Sequence, residues 1–441
     1  MTVHQSTMRP APAPAEQRYL DLYASVAERL PGARHKNVRD WREAALEQFA
    51  AFGLPHRRVE EWKYTGLRVL MPEVNPLAGL LPAVAADIGI EAAAGQALAH
   101  LDAYRAVFVD GMFRPDLSTV RDAAGVTLHP LRAMLEAETG SIQAVAKFPP
   151  MERDVIAALA AAFATDGAIL SVSPGVRLEK PIHLIFIAAG AAKLAATQSA
   201  IVIGEGADAT LIETHAAAEN AQAFSSMRLI LGAGARLRHV RFNTGAKQLS
   251  SASAVLGERT QYDPLQMTVD GALTRAQTRI RFEGPAARCH YSGAMLLRGH
   301  SHADFTFVVE HAAEACESRE LVKAAVDGRS RGVFQGKVIV ERGAQKTDGK
   351  QMANALLLSD EAEFDSKPEL DIFADDVACG HGATAGQIDE DLMFYLRARG
   401  IPEAEARALL IAAFIGEALD KIEDEALRAA LREKVDAWLA R

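Results

Sequence analysis

Short runs of Val, Ile and Leu alternate with glycine-bearing corners between about residue 165 and residue 385. One internal echo is clear, because Ile201–Ala207 (Ile-Val-Ile-Gly-Glu-Gly-Ala) matches Leu229–Ala235 (Leu-Ile-Leu-Gly-Ala-Gly-Ala) 28 positions later. Similar corners recur at Val340–Ala344 and Leu358–Ala362. A strand, a glycine corner and another strand at a spacing of about 20–30 residues is typical of stacked β-rungs. We therefore expect a β-solenoid, with an antiparallel sandwich of many short strands as the alternative.

Helical periodicity precedes this region. Apolar residues recur at three- and four-residue steps from about Glu16 to Phe52, and Gly53 and Pro55 end the pattern. Because 441 residues exceed the size at which one hydrophobic core keeps growing, several regions are expected. We assign residues 1–100 to a helical region with a disordered lead-in, 101–385 to the β core and 386–441 to a C-terminal helical region.

The C-terminal region begins where the strand pattern stops, after residue 386. Asp389 can cap a helix that Gly400 closes, and a second helix follows Pro402. This second helix is apolar around most of its circumference, at Leu409, Leu410, Ile411, Phe414 and Ile415. A surface helix with one buried face shows a narrower stripe. Its second face is therefore covered either by the last helix, from about residue 426 to 439, or by a partner.

Composition excludes several classes of function. Hydrophobic residues make up 49% and charged residues 24% of the chain, as in ordinary globular proteins. The net charge of −9 and the scattered Lys and Arg argue against binding to nucleic acid. No stretch approaches the roughly 20 apolar residues of a membrane helix, and the Pro- and Ala-rich start is unlike a secretory signal. Three widely spaced cysteines favour a reducing cytoplasm over a disulfide framework.

The sharpest local motif is Ala378-Cys-Gly-His-Gly382. In a strand, Cys379 and His381 project from the same face, with Cα atoms about 6–7 Å apart. A thiolate and an imidazole so placed can converge on iron or zinc. Two ligands are too few for a closed site, so the others would come from elsewhere in the fold or from another chain. The alternative is that Cys379 is a small buried hydrophobic residue.

Two rival sites remain open at this point. His300 and His302 share a strand face, and with His311 they form a candidate zinc site, although histidines satisfied by backbone carbonyls would give the same pattern. Asp375 and Asp376 resemble the acidic faces of carbohydrate-active β-helix enzymes. That function would require secretion, which neither the N-terminus nor the cysteine usage favours.

Most of the chain resembles the SufB/SufD family of iron–sulfur cluster assembly scaffold subunits of the SUF system. The most specific matches are Lys367–Thr384 and Met393–Ile401. The others are Glu60–Thr65, His311, Gly336–Val340, Ala344–Asp348 and Asn354–Leu358. The resemblance runs from about residue 56 to 415. The His-Gly-Ala-Thr and Glu-Trp-Lys-Tyr-Thr elements are similar to the SufD branch, and the additional cysteines of the longer SufB chains are absent.

The resemblance implies a right-handed parallel β-helix that is a non-catalytic scaffold. It also implies pairing with a SufB-like paralogue, with a transient iron–sulfur cluster at the shared interface. The family histidine at that interface matches His381, and Cys379 matches the neighbouring cysteine. Reduced FAD is associated with such complexes, although no residue here marks a flavin site. An isolated chain with exposed strand edges is expected to form a homodimer.

The resemblance further implies that a SufC-like ATPase docks on the C-terminal helices. We assign this dock to Tyr395, Gly400, Ile401, Leu410 and Phe414.

Overall fold

Two parallel β-sheets form the centre of the molecule, and successive strands of the chain alternate between them. A computed structural model of the chain describes residues 13–80, 98, 100–137, 142, 154–190 and 192–441. Most of the predicted disordered lead-in and residues 81–97 of the predicted N-terminal region lie outside these ranges. In chain order the strands are β1 (Tyr104–Val109), β2 (Met112–Phe113), β3 (Val126–Pro130), β4 (Ala168–Val172), β5 (Ile182–Ala188), β6 (Leu194–Ile203), β7 (Asp208–Leu231), β8 (Arg236–Leu256), β9 (Gln261–Val269), β10 (Leu273–Phe282), β11 (Arg288–Leu297), β12 (His302–His311), β13 (Glu317–Val326), β14 (Arg331–Val340), β15 (Asp348–Leu357), β16 (Glu363–Ile372) and β17 (Ala378–Gly386).

The strands alternate between the two sheets. The front sheet contains β1, β5, the first halves of β7 and β8, and then β9, β11, β13, β15 and β17. The back sheet contains β4, β6, the second halves of β7 and β8, and then β10, β12, β14 and β16. All of these pairings are parallel, so the solenoid prediction is confirmed and the antiparallel sandwich is wrong. The two repeated segments identified in the sequence pair in register, because Ile201 pairs with Leu229.

The corners of the solenoid are stacked turns in the left-handed region of the backbone. Gly206 and Gly234, at φ +64° and +67°, occupy this position in the two echoing corners. In later rungs the same position is taken by Arg259 and Lys346, at φ +53° and +61°. Each of these residues donates its N–H to a carbonyl of the following rung, as Gly206 does to Ala233 at 2.9 Å. These bonds across the corners offset the strain of the non-glycine residues.

Helices cover the outer surfaces of both sheets. They are α1 (Pro14–Val26), α2 (Lys36–Phe52), α3 (Leu67–Leu70), α4 (Leu131–Glu136), α5 (Val155–Phe163), α6 (Glu390–Arg397), α7 (Glu403–Leu419) and α8 (Glu425–Leu439). Short 3₁₀ turns lie at Ala27–Arg29, Glu60–Trp62, Pro115–Leu117 and Val120–Asp122. Helices α1, α2 and α5 pack on the back sheet, and α7 and α8 pack on the front sheet. None of the helices in the described ranges is both long and apolar enough to cross a membrane.

The N-terminal helical pattern predicted from Glu16 to Phe52 is interrupted. Its end is confirmed, because Gly53 follows Phe52 with φ +66°. The chain leaves the helix between α1 and α2, where Pro31 lacks an N–H and Gly32 adopts φ +74°. The cap at Asp389 is also confirmed, since its carboxylate accepts hydrogen bonds from two N–H groups at the start of α6.

Candidate metal centre at the open end of the solenoid

Strand β17 carries Cys379 and His381 and is the last rung of the front sheet. It pairs with β15 on one side, and no strand within the described ranges pairs with its other side. Its residues are half-buried or exposed, whereas most of β13, two rungs earlier, is buried. The site motif therefore lies at an open end of the molecule.

The Cys379 side chain faces the space between the two sheets. It packs against the edge of the core, and a Cβ added at its register partner Gly349 would lie 3.5 Å from its Sγ. The thiol is free and half-buried. Burial raises the pKa of this thiol, so the neutral form predominates at neutral pH. A metal ion or a neighbouring cation would be needed to favour the thiolate.

His381 shares the inward-facing side of β17 with Cys379, as the predicted strand spacing requires. Its register partner is Gln351 on β15. In the two preceding rungs the same position is occupied by Glu320 on β13 and Tyr291 on β11. Tyr291, Glu320 and Gln351 are buried, whereas His381 is exposed. A column of polar side chains therefore runs along the interior of the solenoid and ends at the candidate ligand. We call Glu320, Gln351 and His381 the interior column.

The two buried members of the interior column are incompletely hydrogen-bonded. Gln351 Nε2 donates to Glu320 Oε1 over 3.3 Å, but Glu320 Oε2 and Gln351 Oε1 have no partner. Glu320 Oε2 faces the opposite sheet, where a Cβ added at Gly336 would lie 2.9 Å away. Because burial outweighs the one hydrogen bond from Gln351, the pKa of Glu320 is raised well above its ordinary value. Burial therefore favours the protonated, neutral form of Glu320.

The arrangement at the open end can contribute two ligands but cannot close a metal site alone. Within the described ranges no group of three or more His, Cys, Asp or Glu residues has the geometry to hold a metal ion. A sulfur and a nitrogen on one face of an uncovered strand suit an ion whose coordination is completed by another chain.

The rival histidine site does not assemble. His302 and His311 lie at opposite ends of β12, on opposite faces of the strand. His302 faces outward within 3.0 Å of Thr65 Oγ1, and inward-facing His311 lies 2.9 Å from Ser318 Oγ. Burial lowers the pKa of both imidazoles to about 4. His300 is exposed in a turn. The histidines of β12 are therefore neutral core residues.

The two acidic residues of the carbohydrate hypothesis lie on an exposed corner between β16 and β17. The Asp376 backbone takes part in the corner hydrogen bonds, accepting from Lys346 N at 2.6 Å. Asp375 and Asp376 therefore occupy a structural corner.

Sequence reasoning missed a buried charged network in the half of the solenoid that lies farther from β17. The Glu213 carboxylate accepts a hydrogen bond from Arg241 at 3.0 Å and lies 3.0 Å from His215 Nε2 and 2.6 Å from His239 Nε2. Burial alone would raise the pKa of Glu213, but Arg241 and the two histidines hold it well below its usual range. The sequence feature that could have revealed this network is the row of polar residues at inward positions of β7 and β8.

The Glu60–Thr65 element binds the N-terminal region to the back sheet. Trp62 stacks on the guanidinium of Arg275, 3.8 Å from the ring centroid, and Arg275 also pairs with Asp304 in a fully buried ion pair. Glu60 forms an ion pair with Lys367 of β16 at 2.7 Å. The element thus spans from the middle of the solenoid to its last rung.

The predicted dock residues fall into an exposed and a half-buried group. Tyr395 is exposed on α6, and Gly400 terminates that helix with φ +84°. Ile401, Leu410 and Phe414 are half-buried, and the Phe414 ring lies 4.6 Å from Lys323 Nζ. The inner face of α7 packs on α8 and the front sheet, so the last helix supplies the cover that was one of the two predicted alternatives.

Helix α6 exposes two further apolar residues beside Tyr395. They are Leu392 and Phe394, and Phe394 has 74% of its surface exposed. We call Leu392, Phe394 and Tyr395 the α6 patch. Phe394 also borders a cavity of about 810 Å³ between α6, α7 and the end of β15.

Comparisons with known proteins agree with these observations. Residues 186–414 match the family model described as SUF system FeS cluster assembly, SufBD core domain. Residues 13–184 match the SufBD protein N-terminal region. The chain is 32% identical over 395 residues to the iron–sulfur cluster assembly protein SufD of Escherichia coli, covering 87% of this chain and 89% of that protein. It is 28% identical over 412 residues to a SufBD family protein of Synechocystis, covering 89% of each chain. It is 24% identical to SufD of Bacillus subtilis over 63% of this chain and 65% of that protein.

Proposed function

The chain belongs to the SufBD family of iron–sulfur cluster assembly proteins, and on that premise we propose that it is a non-catalytic scaffold subunit on which a nascent cluster is assembled. In this proposal β17 pairs with a SufB-like paralogue, and His381 and Cys379 contribute ligands to a transient cluster at the interface. The observation that carries the proposal is the His381 imidazole exposed beside a half-buried thiol on a strand whose outer edge is open.

The open edge of β17 favours completion of the ligand set by another β-rich chain that pairs with this strand. β16 and β17 present backbone groups at this edge, and Ile372 at the end of β16 and Phe373 directly after it are exposed. Such edges are templates for strand pairing. Pairing with a paralogue would cover this edge and bring that subunit's ligands to His381. In the absence of the paralogue, we expect a second copy of the chain to take its place as a homodimer.

We further propose that the α6 patch is the dock of a SufC-like ATPase, with Tyr395, Gly400, Ile401, Leu410 and Phe414 at or near the contact. Phe394 is its most exposed apolar member, which makes it the best position for a test. Nucleotide-driven movement of the ATPase would then reach the cluster site through α6, which follows β17 directly in the chain.

The free cysteines are consistent with a reducing cytoplasm, where we place this activity. Reduced FAD in the complex stays a prediction without an assigned residue.

The test is anaerobic reconstitution of the complex with the paralogue and the ATPase, followed by measurement of iron and acid-labile sulfide. We expect His381→Ala to assemble a complex of normal composition with at least about tenfold less cluster, which corresponds to roughly 1.4 kcal/mol of lost ligation. His300→Ala, which removes an exposed histidine from a turn, is the matched control and should load normally. Normal loading of the His381→Ala complex would refute the site.

The same preparation tests the dock. Phe394→Glu should lose the ATPase while retaining the paralogue, because a charge on the α6 patch opposes apolar contact. Val69→Glu, which adds the same charge at a position 72% exposed on α3, is the control. Retention of the ATPase by Phe394→Glu would remove the docking assignment.

A further inference from the structure

The interior column reaches the candidate ligand from inside the solenoid. Glu320 and Gln351 have relative exposures of 3% and 2%, yet each leaves one side-chain oxygen without a partner. An unpartnered buried oxygen is costly and is rarely found without a reason. The next residue of the column is His381, the candidate ligand.

We propose that Gln351 positions the imidazole of His381 by accepting a hydrogen bond from one ring N–H, which leaves the other ring nitrogen bare to bind metal. This inference rests on the ligand role of His381 in the proposed function and assigns the residue that prepares it. Gln351 touches no metal or cluster and is therefore a positioning residue.

The register brings the two side chains together. Gln351 and His381 pair directly across a parallel ladder and face the same side. Adjacent strands lie about 4.8 Å apart, so side chains at paired positions are in contact range. An amide oxygen and a ring N–H can bond over that distance without a change in the backbone.

Glu320 determines which end of the amide is available. Because Gln351 Nε2 donates to Glu320 Oε1, the amide nitrogen is directed toward the earlier rung and Oε1 is left as an acceptor. A neutral imidazole carries one N–H, so an acceptor on one nitrogen keeps the proton there. Metal-binding histidines usually donate their second ring N–H to such an oxygen.

The chemical consequence is selection of one imidazole tautomer before the metal arrives. The ion then meets a bare nitrogen of fixed orientation instead of a mixture of two tautomers. Loss of Gln351 would weaken loading without removing a ligand, whereas loss of His381 removes the ligand itself.

The test is the ¹⁵N spectrum of the full-length chain labelled at the histidine ring nitrogens and kept free of metal. It is recorded at alkaline pH, where histidine rings are neutral and protonated and bare ring nitrogens resonate far apart. The His381 signals are assigned by their loss in His381→Ala. We expect the tautomer ratio of His381 to differ about three- to tenfold from that of the urea-unfolded chain, as one net hydrogen bond allows. A native ratio equal to the unfolded one would overturn the proposal without any variant.

Two variants separate positioning from packing. Gln351→Met keeps the length of the side chain but removes the acceptor, and it should return the ratio to the unfolded value. Gln266→Met makes the same change at another buried inward position of the front sheet, where Gln266 donates to Asn243 at 2.7 Å. It should leave the His381 ratio unchanged even if it lowers stability. A native-like ratio in Gln351→Met, or an equal change in both variants, would refute the role of Gln351.

The reconstitution assay distinguishes this inference from the proposed function. If the native chain shows a biased His381 tautomer but the His381→Ala complex loads clusters normally, the ligand role is contradicted. The hydrogen bond from His381 to Gln351 would still be supported. Failure of His381→Ala to load, combined with an unbiased tautomer, contradicts only the positioning by Gln351.

Discussion

The terminal strands at the two ends of the solenoid differ in their pairing. At the first rungs, β2 pairs antiparallel with β1 and β3 pairs antiparallel with β4, so each parallel sheet ends on a strand of opposite direction. At the last rungs, β16 and β17 each pair on one side, and the described part of the chain supplies no strand for the other. Proteins normally protect the edges of their sheets. This difference between the two ends is the observation on which the proposed pairing of β17 with a paralogue rests.

The interiors of the two ends differ in the same way. Near the first rungs, Glu213 is surrounded by Arg241, His215 and His239, so both carboxylate oxygens have partners. Near the last rungs, the only hydrogen bond to the Glu320 side chain comes from Gln351, within the residues that the structure describes. Equal burial therefore produces opposite shifts of the pKa. The Glu213 carboxylate near the closed end has compensating partners, whereas burial near the open end favours the neutral form of Glu320, which has unused hydrogen-bonding capacity.

The largest expected effect comes from breaking the closed network. Arg241→Met strands the buried Glu213 carboxylate, and removal of one partner of a buried pair costs about 3–5 kcal/mol. Glu320→Gln replaces a carboxyl group that has no charged partner by a neutral amide of the same shape and should cost under about 1 kcal/mol. Urea unfolding with an unchanged m-value measures both. Similar losses in the two variants would show that the two ends are equally constrained.

A smaller effect is the opposite pH dependence of the two glutamates. Because the pKa of Glu213 is depressed, its contribution to stability is present above its unfolded value of about 4.3 and is lost as pH falls through the folded value. Because the pKa of Glu320 is raised, the native state holds its proton longer, and stability falls as pH rises from about 4.3 toward the folded value.

Unfolding free energies over a pH series, compared with Glu213→Gln and Glu320→Gln, separate these contributions. Each group can change the free energy of unfolding by at most about 1.4 kcal/mol per pH unit. The free energy of unfolding of the wild type should exceed that of Glu213→Gln by less at low pH than at neutral pH. The free energy of unfolding of Glu320→Gln should rise relative to that of the wild type as pH rises. Slopes of the same sign would mean that Glu320 has a compensating partner.

The fold was predictable where the local pattern repeats in the chain. The glycine corners at Gly206 and Gly234 gave the rung spacing, and Asp389 marked the start of α6. Later rungs were harder to recognise because Arg259 and Lys346 occupy the same left-handed corner as the glycines. Their conformation is held by hydrogen bonds to the next rung, which no local pattern encodes.

The candidate site was predictable only in part. The i, i+2 spacing correctly placed Cys379 and His381 on one strand face. The interior column was not predictable, because Glu320, Gln351 and His381 are 31 and 30 residues apart in the chain and meet only through the register. A glutamate and a glutamine in a strand ordinarily indicate solvent-facing positions, and here they face the core.

The smallest expected effect concerns the thiols at the open end. Burial raises the pKa of Cys289 well above its ordinary value, and it also raises that of Cys379. Cys289 and Cys316 are buried between the sheets, whereas Cys379 is half-buried at the last rung. In the native chain an uncharged alkylating agent should therefore modify Cys379 at least about tenfold faster than the other two, since buried thiols react only after local opening. Cys379→Ser should abolish this fast phase, and the SufB-like paralogue should protect it. Equal rates for all three thiols would mean that the last rung opens no more readily than the buried interior of the solenoid. No protection by the paralogue would mean that the last rung is not the surface that a partner covers.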